Sequence, residues 1–375
     1  MQGPGAPSPP VPATLPFTYY RGRVALRELL AALRVGVGDE VAVQAFTCVA
    51  VPEGVLACGA VPVWVDTAPN DVNMCPSSLI GKLTGRTRAI VIQHTFGIPA
   101  PLEAILPIAH ERGIPVIEDC CHTFLSSVAG QRVGTFGVGA FYSFEWGKPL
   151  VCGIGGAAVP TDSAVAEEVA RRYGNLRAPS FGRAARLELQ YAAFALTYHP
   201  TVYWPLKRAF HLLSSLGMAE GNYHDLKGAG EPSDEFGLRM TTLTRRRLRR
   251  LLPQLETRAR HASTIAGRYR NEIAGSSIEH LQIPAGAEVV FNRYPLFVKN
   301  KSALIALARR QYVELADWYD TPVHPLRGSA LQTVGYRLGS CPNAERASMR
   351  IVSLPTHRRV SSAFVDKAVR LFAIS

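Results

Sequence analysis

Between residues 20 and 160, short apolar runs alternate with amphipathic ones. The apolar runs at 40–48, 61–66, 89–96, 114–121, 140–146 and 156–160 predict strands. Between them, apolar residues recur at helical spacing over 24–34, 51–58, 77–83, 102–112 and 162–172. Strands that are apolar throughout, separated by helices, predict an α/β fold with a mostly parallel sheet covered on both faces. Such sheets bind ligands in the loops beyond the carboxyl ends of their strands.

Beyond residue 176 the alternation stops. Residues 176–236 read as irregular, with a strongly apolar and aromatic stretch at 190–217. A long helix is predicted over 238–273, kinked or broken at Pro253. The remainder mixes a strand at 289–298 with helices at 302–311 and 361–372, which reads as a smaller C-terminal α/β domain. The expected divisions are a Pro/Gly-rich arm at 1–16, a large domain at 17–255 with an apolar aromatic insertion at about 185–235, and a small domain at 256–375.

Composition narrows the function. The net charge is +12, yet only seven of the 41 basic residues are lysines. The densest run, Arg245 to Arg250, spreads around a helix axis and has no aromatics interleaved, so no nucleic-acid partner is expected. An anionic substrate is the simpler use of the potential. Seven cysteines without a Cys-x-x-Cys pair argue against both a disulfide framework and a zinc site, and no metal is expected. Residues 1–16 lack a basic start followed by an apolar core, so a cytoplasmic location is expected. The stretch 190–217 is interrupted by His199, Pro200, Pro205, Lys207 and Arg208, too often to span a bilayer. It reads as a buried or subunit-interface helical pair, with a peripheral membrane contact as the alternative.

Candidate chemistry centres on Lys148, which follows an aromatic strand and precedes Gly153, Gly155 and Gly156. Burial in such a turn would free its amine as a nucleophile toward an aldehyde. Asp119 closes the apolar run before it, at a strand's carboxyl end, where a buried carboxylate needs a cation. A protonated pyridine nitrogen is such a cation, and the pairing makes the ring an electron sink. His122, three residues on, is placed to reach a ring substituent. Arg21-Gly22-Arg23 opens a helix whose backbone N–H groups suit a phosphate, and Ser143 adds a hydroxyl on the aromatic strand. Each residue also has an ordinary structural reading: a snorkelling lysine, a capping aspartate, a core histidine.

Taken in order, these segments resemble the PLP-dependent nucleotide-sugar aminotransferases of the DegT/DnrJ/StrS family. The resemblance rests on GVGDEVAVQAFTCVAVPEGVLACGAVPVWVD, IVIQHTFGIPA, IPVIEDCCHTF, SFEWGKPLVCGIGG and SCPNAERASMRIVSLPTH, and covers nearly the whole chain. It implies the fold type I (aspartate aminotransferase) architecture, a homodimer, and pyridoxal 5′-phosphate as cofactor. By the same resemblance Lys148 condenses with the cofactor aldehyde and moves the proton between substrate Cα and cofactor C4′. Asp119 holds the pyridinium, His122 contacts the phenolic oxygen, and Ser143, Gly22 and Arg23 lie around the phosphate. The chain departs from the family in four places: Arg23 replaces a hydroxyl residue, Cys48 replaces the aromatic that stacks on the ring, Val138 replaces an aspartate, and Gly237 replaces an asparagine lent to the partner subunit.

The implied reaction moves an amino group from an amino acid, with glutamate the expected donor, to a keto group of a nucleotide-linked sugar. Arg293 is the candidate substrate residue of the second domain. Two other readings stay open. One is a different PLP reaction, such as dehydration, against which Lys148 speaks because the family's sugar dehydratases have a histidine there. The other is a non-catalytic or membrane-peripheral protein docking through 190–217.

Overall fold

The computed structural model describes residues 15–216, 219–221, 233–273 and 278–373. Most of the Pro/Gly-rich arm and part of the insertion, between 217 and 232, lie outside the described residues.

Seven strands form the main sheet, in the spatial order Phe17–Tyr19, Gly156–Pro160, Gly139–Ser143, Val116–Asp119, Thr87–Gln93, Glu40–Gln44 and Val61–Val65. The last five pair in parallel; Gly156–Pro160 runs antiparallel to both of its neighbours. Alternate residues feed two different cores. Val41, Val43, Ala89, Val91 and Ile117 pack on one side. Ala42, Val65, Ile90, Ile92 and Val116 pack on the other. Both faces are covered, which is why these strands are apolar at every position instead of every second one.

The strands end slightly earlier than their apolar runs. The 40–48 run divides at Ala45 and Phe46 into Glu40–Gln44 and a two-residue strand, Thr47–Cys48, which pairs with Val323–His324 from the C-terminal part of the chain. The predicted long helix is three pieces: Thr242–Leu251, a tight turn at Leu252–Gln254, and Leu255–Glu272. Pro253 lacks the N–H that a continuous helix would need. Beyond it, Glu279–His280, Arg293–Phe297 and Ile351–Pro355 form a small antiparallel sheet. The core on one face of the main sheet continues unbroken into this layer.

The segment expected to be irregular contains two helices, Phe181–Thr197 and Tyr203–Ser215, forming a hairpin around Pro200. Its apolar residues do recur at helical spacing, but they divide between two sides: Tyr191, Phe194 and Tyr198 line a cavity, whereas Leu196, Leu212 and Leu216 are exposed. Leu187 and Trp204 are the buried side chains of the two arms. Among the described residues no helix is long and apolar enough to cross a membrane.

Candidate active site

The carboxyl ends of the parallel strands converge on one small cavity. Its walls include Gly22, Arg23, Cys48, Asp119, His122, Ser143, Lys148, Trp318 and Tyr319. Six residues named from the sequence as cofactor ligands thus share one cavity with Lys148, although they come from four separate segments.

Asp119 is the last residue of its strand and is buried. One carboxylate oxygen accepts the Cys121 N–H at 2.9 Å. Burial pushes its pKa up, opposed by that N–H and by the charge of Lys148. A carboxylate in this state gains most from a cation brought next to it. The preceding residue shows what strand alternation does. Glu118 points to the other face and accepts the N–H groups of Gly134, Phe136 and Gly137 at 2.6–2.8 Å. It also receives His94 Nε2 at 3.1 Å. Glu118, His94 and Cys120 lie within 4.8 Å of one another, a spacing that could suit a metal. However, His94 Nδ1 accepts the Ala100 N–H, so Nε2 carries the proton and offers no lone pair. The cluster ties down the loop that delivers the lysine strand.

His122 is buried between Phe96 and Tyr319, its ring stacked on both. Its Nδ1 accepts the Phe96 N–H at 3.1 Å, while Nε2 lies 3.4 Å from the Tyr319 hydroxyl. Burial and the charge of Lys148 hold its pKa well below the usual range. The ring is neutral, with its proton on Nε2, and Nε2 is therefore a donor. Tyr319 and Phe96 complete this arrangement. Neither was legible as a site residue, because only the tertiary fold brings them to the histidine.

Lys148 is half-buried, in a turn closed by its N–H on the Glu145 carbonyl at 3.2 Å. Its charge acts on Cys48, Asp119, Cys121 and His122. Gly147, just before it, has φ +75° and packs against Trp318; a Cβ there would come within 2.3 Å of the indole. Burial pushes the Cys48 thiol pKa up, so it presents a small neutral surface to the cavity.

The helix Gly22–Ala32 starts beside Ser143. A Cβ on Gly22 would meet the Ser143 Cβ at 3.2 Å, and one on Gly156 would meet the Arg21 backbone at 2.5 Å. These two glycines let the helix start press against the strands. The first-turn N–H groups of Gly22 and Arg23 have no carbonyl to bond within the helix, and with Ser143 they form a cradle for an anion. The arginine side chains turn elsewhere. Arg23 pairs with Glu53. Arg21 is fully buried and bonded to Glu235, Glu145 and the Gly221 carbonyl. Burial opposes its charge, and Glu235 and Glu145 outweigh that effect.

These observations fit pyridoxal phosphate: an anion cradle, a buried carboxylate, an imidazole donor and an amine line one cavity. A second cavity of about 1250 Å³ opens over Lys148 and Trp146. It runs between the arms of the hairpin to Arg293, Glu314 and His357. Arg293 lines it, but its guanidinium bonds Glu314 at 2.7 Å and Ser353 at 3.1 Å. Glu314 also accepts the Tyr198 hydroxyl at 2.7 Å and His357 Nε2 at 3.2 Å. Arg293 thus anchors a buried network at the back of the cavity.

Comparison with known proteins agrees with this geometry. The profile of the DegT/DnrJ/EryC1/StrS aminotransferase family matches residues 18–372. A UDP-N-acetyl-3-dehydro-alpha-D-glucosamine 3-aminotransferase of Acidithiobacillus ferrooxidans is 29% identical over 335 residues, 89% of this chain and 77% of that protein. An L-glutamine:scyllo-inosose aminotransferase of Streptomyces griseus is 40% identical over 44% of this chain and 38% of its own length. Among solved structures, a DegT DnrJ EryC1 StrS aminotransferase from Brucella abortus superimposes with a TM-score of 0.69 at 24% identity, covering 95% of this chain and 84% of that one. DesV of S. venezuelae does so with a TM-score of 0.71 at 22% identity, covering 95% and 83%. The chain belongs to the DegT/DnrJ/EryC1/StrS aminotransferase family, and its cofactor is pyridoxal 5′-phosphate.

Proposed function

We propose that this aminotransferase moves an amino group from an amino acid, glutamate being the expected donor, to the keto group of a nucleotide-linked sugar, and that it works as a homodimer. The observation that carries the reading is the meeting of the Lys148 amine, the buried Asp119 carboxylate and the anion cradle at Gly22, Arg23 and Ser143 in one cavity. The acceptor class is supported by the Acidithiobacillus relative, named as an aminotransferase of a UDP-linked keto-sugar.

When bound, pyridoxal phosphate supplies an aldehyde carbon and a ring that accepts electrons from the carbon losing its proton. The remaining chemistry belongs to the chain. Lys148 carries the proton at its Nζ between the two carbons that exchange it. Asp119 would stay ionised and hold the ring nitrogen through a charge-assisted hydrogen bond in a buried setting. His122 would donate from Nε2 to the ring oxygen without bringing a charge of its own. The first-turn N–H groups and Ser143 would hold the phosphate and so orient the ring. Trp146 lines both cavities together with Lys148. Arg293 is proposed as a positioning residue, holding the Glu314–His357–Tyr198 network that backs the acceptor cavity.

The test is a half-reaction. Protein loaded with cofactor is mixed with glutamate, and conversion of the cofactor to its amine form is followed by absorbance. UDP-linked 3-keto-sugars are then added and should reverse the change. Loaded protein whose spectrum is unmoved by any common amino acid would refute the reading.

A further inference from the structure

The hairpin presents its apolar side to the outside. Along the first arm Phe181, Ala185, Leu189, Ala192 and Leu196 lie on one helical face, and all five are exposed. Leu189 is 74% exposed and Leu196 86%. Along the second arm Pro205, Ala209, Leu212 and Leu216 repeat the pattern, with Leu212 61% and Leu216 63% exposed. An ordinary surface helix carries polar residues on such a face. Exposed apolar stripes of this kind, one on each arm, mark an interaction surface.

Charge identifies the partner. Between 181 and 216 the chain has one carboxylate, Glu188, and Arg247 takes it up. The exposed charged residues of the hairpin are Arg186, which reaches Glu220 at 3.9 Å, and Arg208. The helix Thr242–Leu251 leans on the first arm through Arg247, whose guanidinium sits 3.5 Å from the Tyr191 ring centroid. That helix exposes Arg246, Arg249 and Arg250, none of which has a carboxylate partner among the described residues. Arg250 and Arg186 line the same cavity as Leu189 and Leu213, so the arginines rim the leucines.

We propose that this hairpin lies in the interfacial layer of a membrane containing anionic lipid. The leucines enter the boundary of the acyl chains, and the arginines meet the head groups. Neither arm crosses the bilayer; both lie along its surface. A second copy of the chain fits less well. A two-fold contact through this face would bring the exposed arginines of one hairpin, Arg186 and Arg208, towards those of the other, so the homodimer proposed above is expected to use another face. An anionic surface turns the same charges into attraction.

The experiment uses the full chain loaded with cofactor, sedimented with phosphatidylcholine vesicles that contain or lack phosphatidylglycerol. Wild type should pellet with the phosphatidylglycerol vesicles and be released by high salt, which screens exposed charges. The triple variant Leu196→Ser, Leu212→Ser, Leu216→Ser should bind those vesicles at least about tenfold more weakly. Its circular dichroism and its conversion of cofactor by glutamate should match wild type, because the three side chains lie outside both cavities. Wild type that stays in the supernatant with both vesicles overturns the proposal. So does a triple variant that pellets as well as wild type. A triple variant that falls apart into a smaller species, with no vesicle binding by wild type, gives the leucines to a second copy instead.

Discussion

The cofactor cavity and the helical hairpin break the usual segregation of polar and apolar residues in opposite directions. The cavity buries Asp119, His122 and Ser143 among apolar strand ends, whereas the hairpin exposes Leu189, Leu196, Leu212 and Leu216. A buried polar group and an exposed apolar patch are the two departures from the ordinary pattern that carry information. In the cavity, desolvation is tolerated because each group has a defined partner or awaits one: Cys121 N–H for Asp119, Phe96 N–H for His122. In the hairpin no group among the described residues covers the leucines, which stay exposed. One region is completed by a small charged molecule, the other by a surface.

That contrast can be broken at its strongest point first. Lys148→Ala should lower amino transfer by at least about 10³-fold, within the range for removing a positioned proton carrier. Single-turnover mixing with glutamate measures it, and a variant retaining a tenth of the wild-type rate would remove Lys148 from the mechanism. The seam between the two regions comes next. Tyr198, at the end of the hairpin's first arm, meets the Arg293–Glu314 pair. Glu314→Gln leaves Arg293 buried without its counter-charge and should cost about 3–5 kcal/mol in urea unfolding.

The same carboxylate has a pH signature. Burial opposes its ionisation, but Arg293 and His357 outweigh that effect and hold its pKa at about 2, against an ordinary 4.5. A lowered folded value means that its contribution is complete above pH 4.5 and fades as the pH falls towards 2. Denaturation curves across that window should therefore slope less in Glu314→Gln than in wild type.

Asp119→Asn keeps the shape of the cavity and removes its charge. Cofactor binding should weaken about 10–100-fold, the equivalent of one charge-assisted hydrogen bond worth about 1.5–3 kcal/mol. Equilibrium titration with pyridoxal phosphate reads it directly, and unchanged affinity would dissociate Asp119 from the ring nitrogen. The smallest effect is expected on the hairpin. Leu196→Ser should change unfolding free energy by no more than about 0.5 kcal/mol, as for other surface positions. A large loss would mean that this side chain is packed against the chain after all.

Much of the cofactor cavity was legible in the sequence because each of its parts is a local event. Asp119 ends an apolar strand, Gly22 opens a helix, and Lys148 follows an aromatic strand. The parallel-sheet rule places all such ends on one side of the sheet. The four departures at Arg23, Cys48, Val138 and Gly237 were equally visible, but their consequences were not. Only the fold shows Arg23 turned to Glu53 and Cys48 backed by the strand Val323–His324. Arg293 illustrates the opposite case. Its position in a strand said nothing of Glu314, 21 residues away in sequence, whose oxygen its guanidinium bonds.

The sequence by itself determined the order of strands and helices, the apolar faces that bury them, and the chemical types available at each strand end, because periodicity and turn chemistry act over a few residues. The tertiary structure decided which of those ends meet, which tautomer His122 adopts, and that the helices of 181–215 face outward. Those outcomes depend on neighbours 20 to 200 residues distant, and no local pattern specifies what a side chain will find across a cavity.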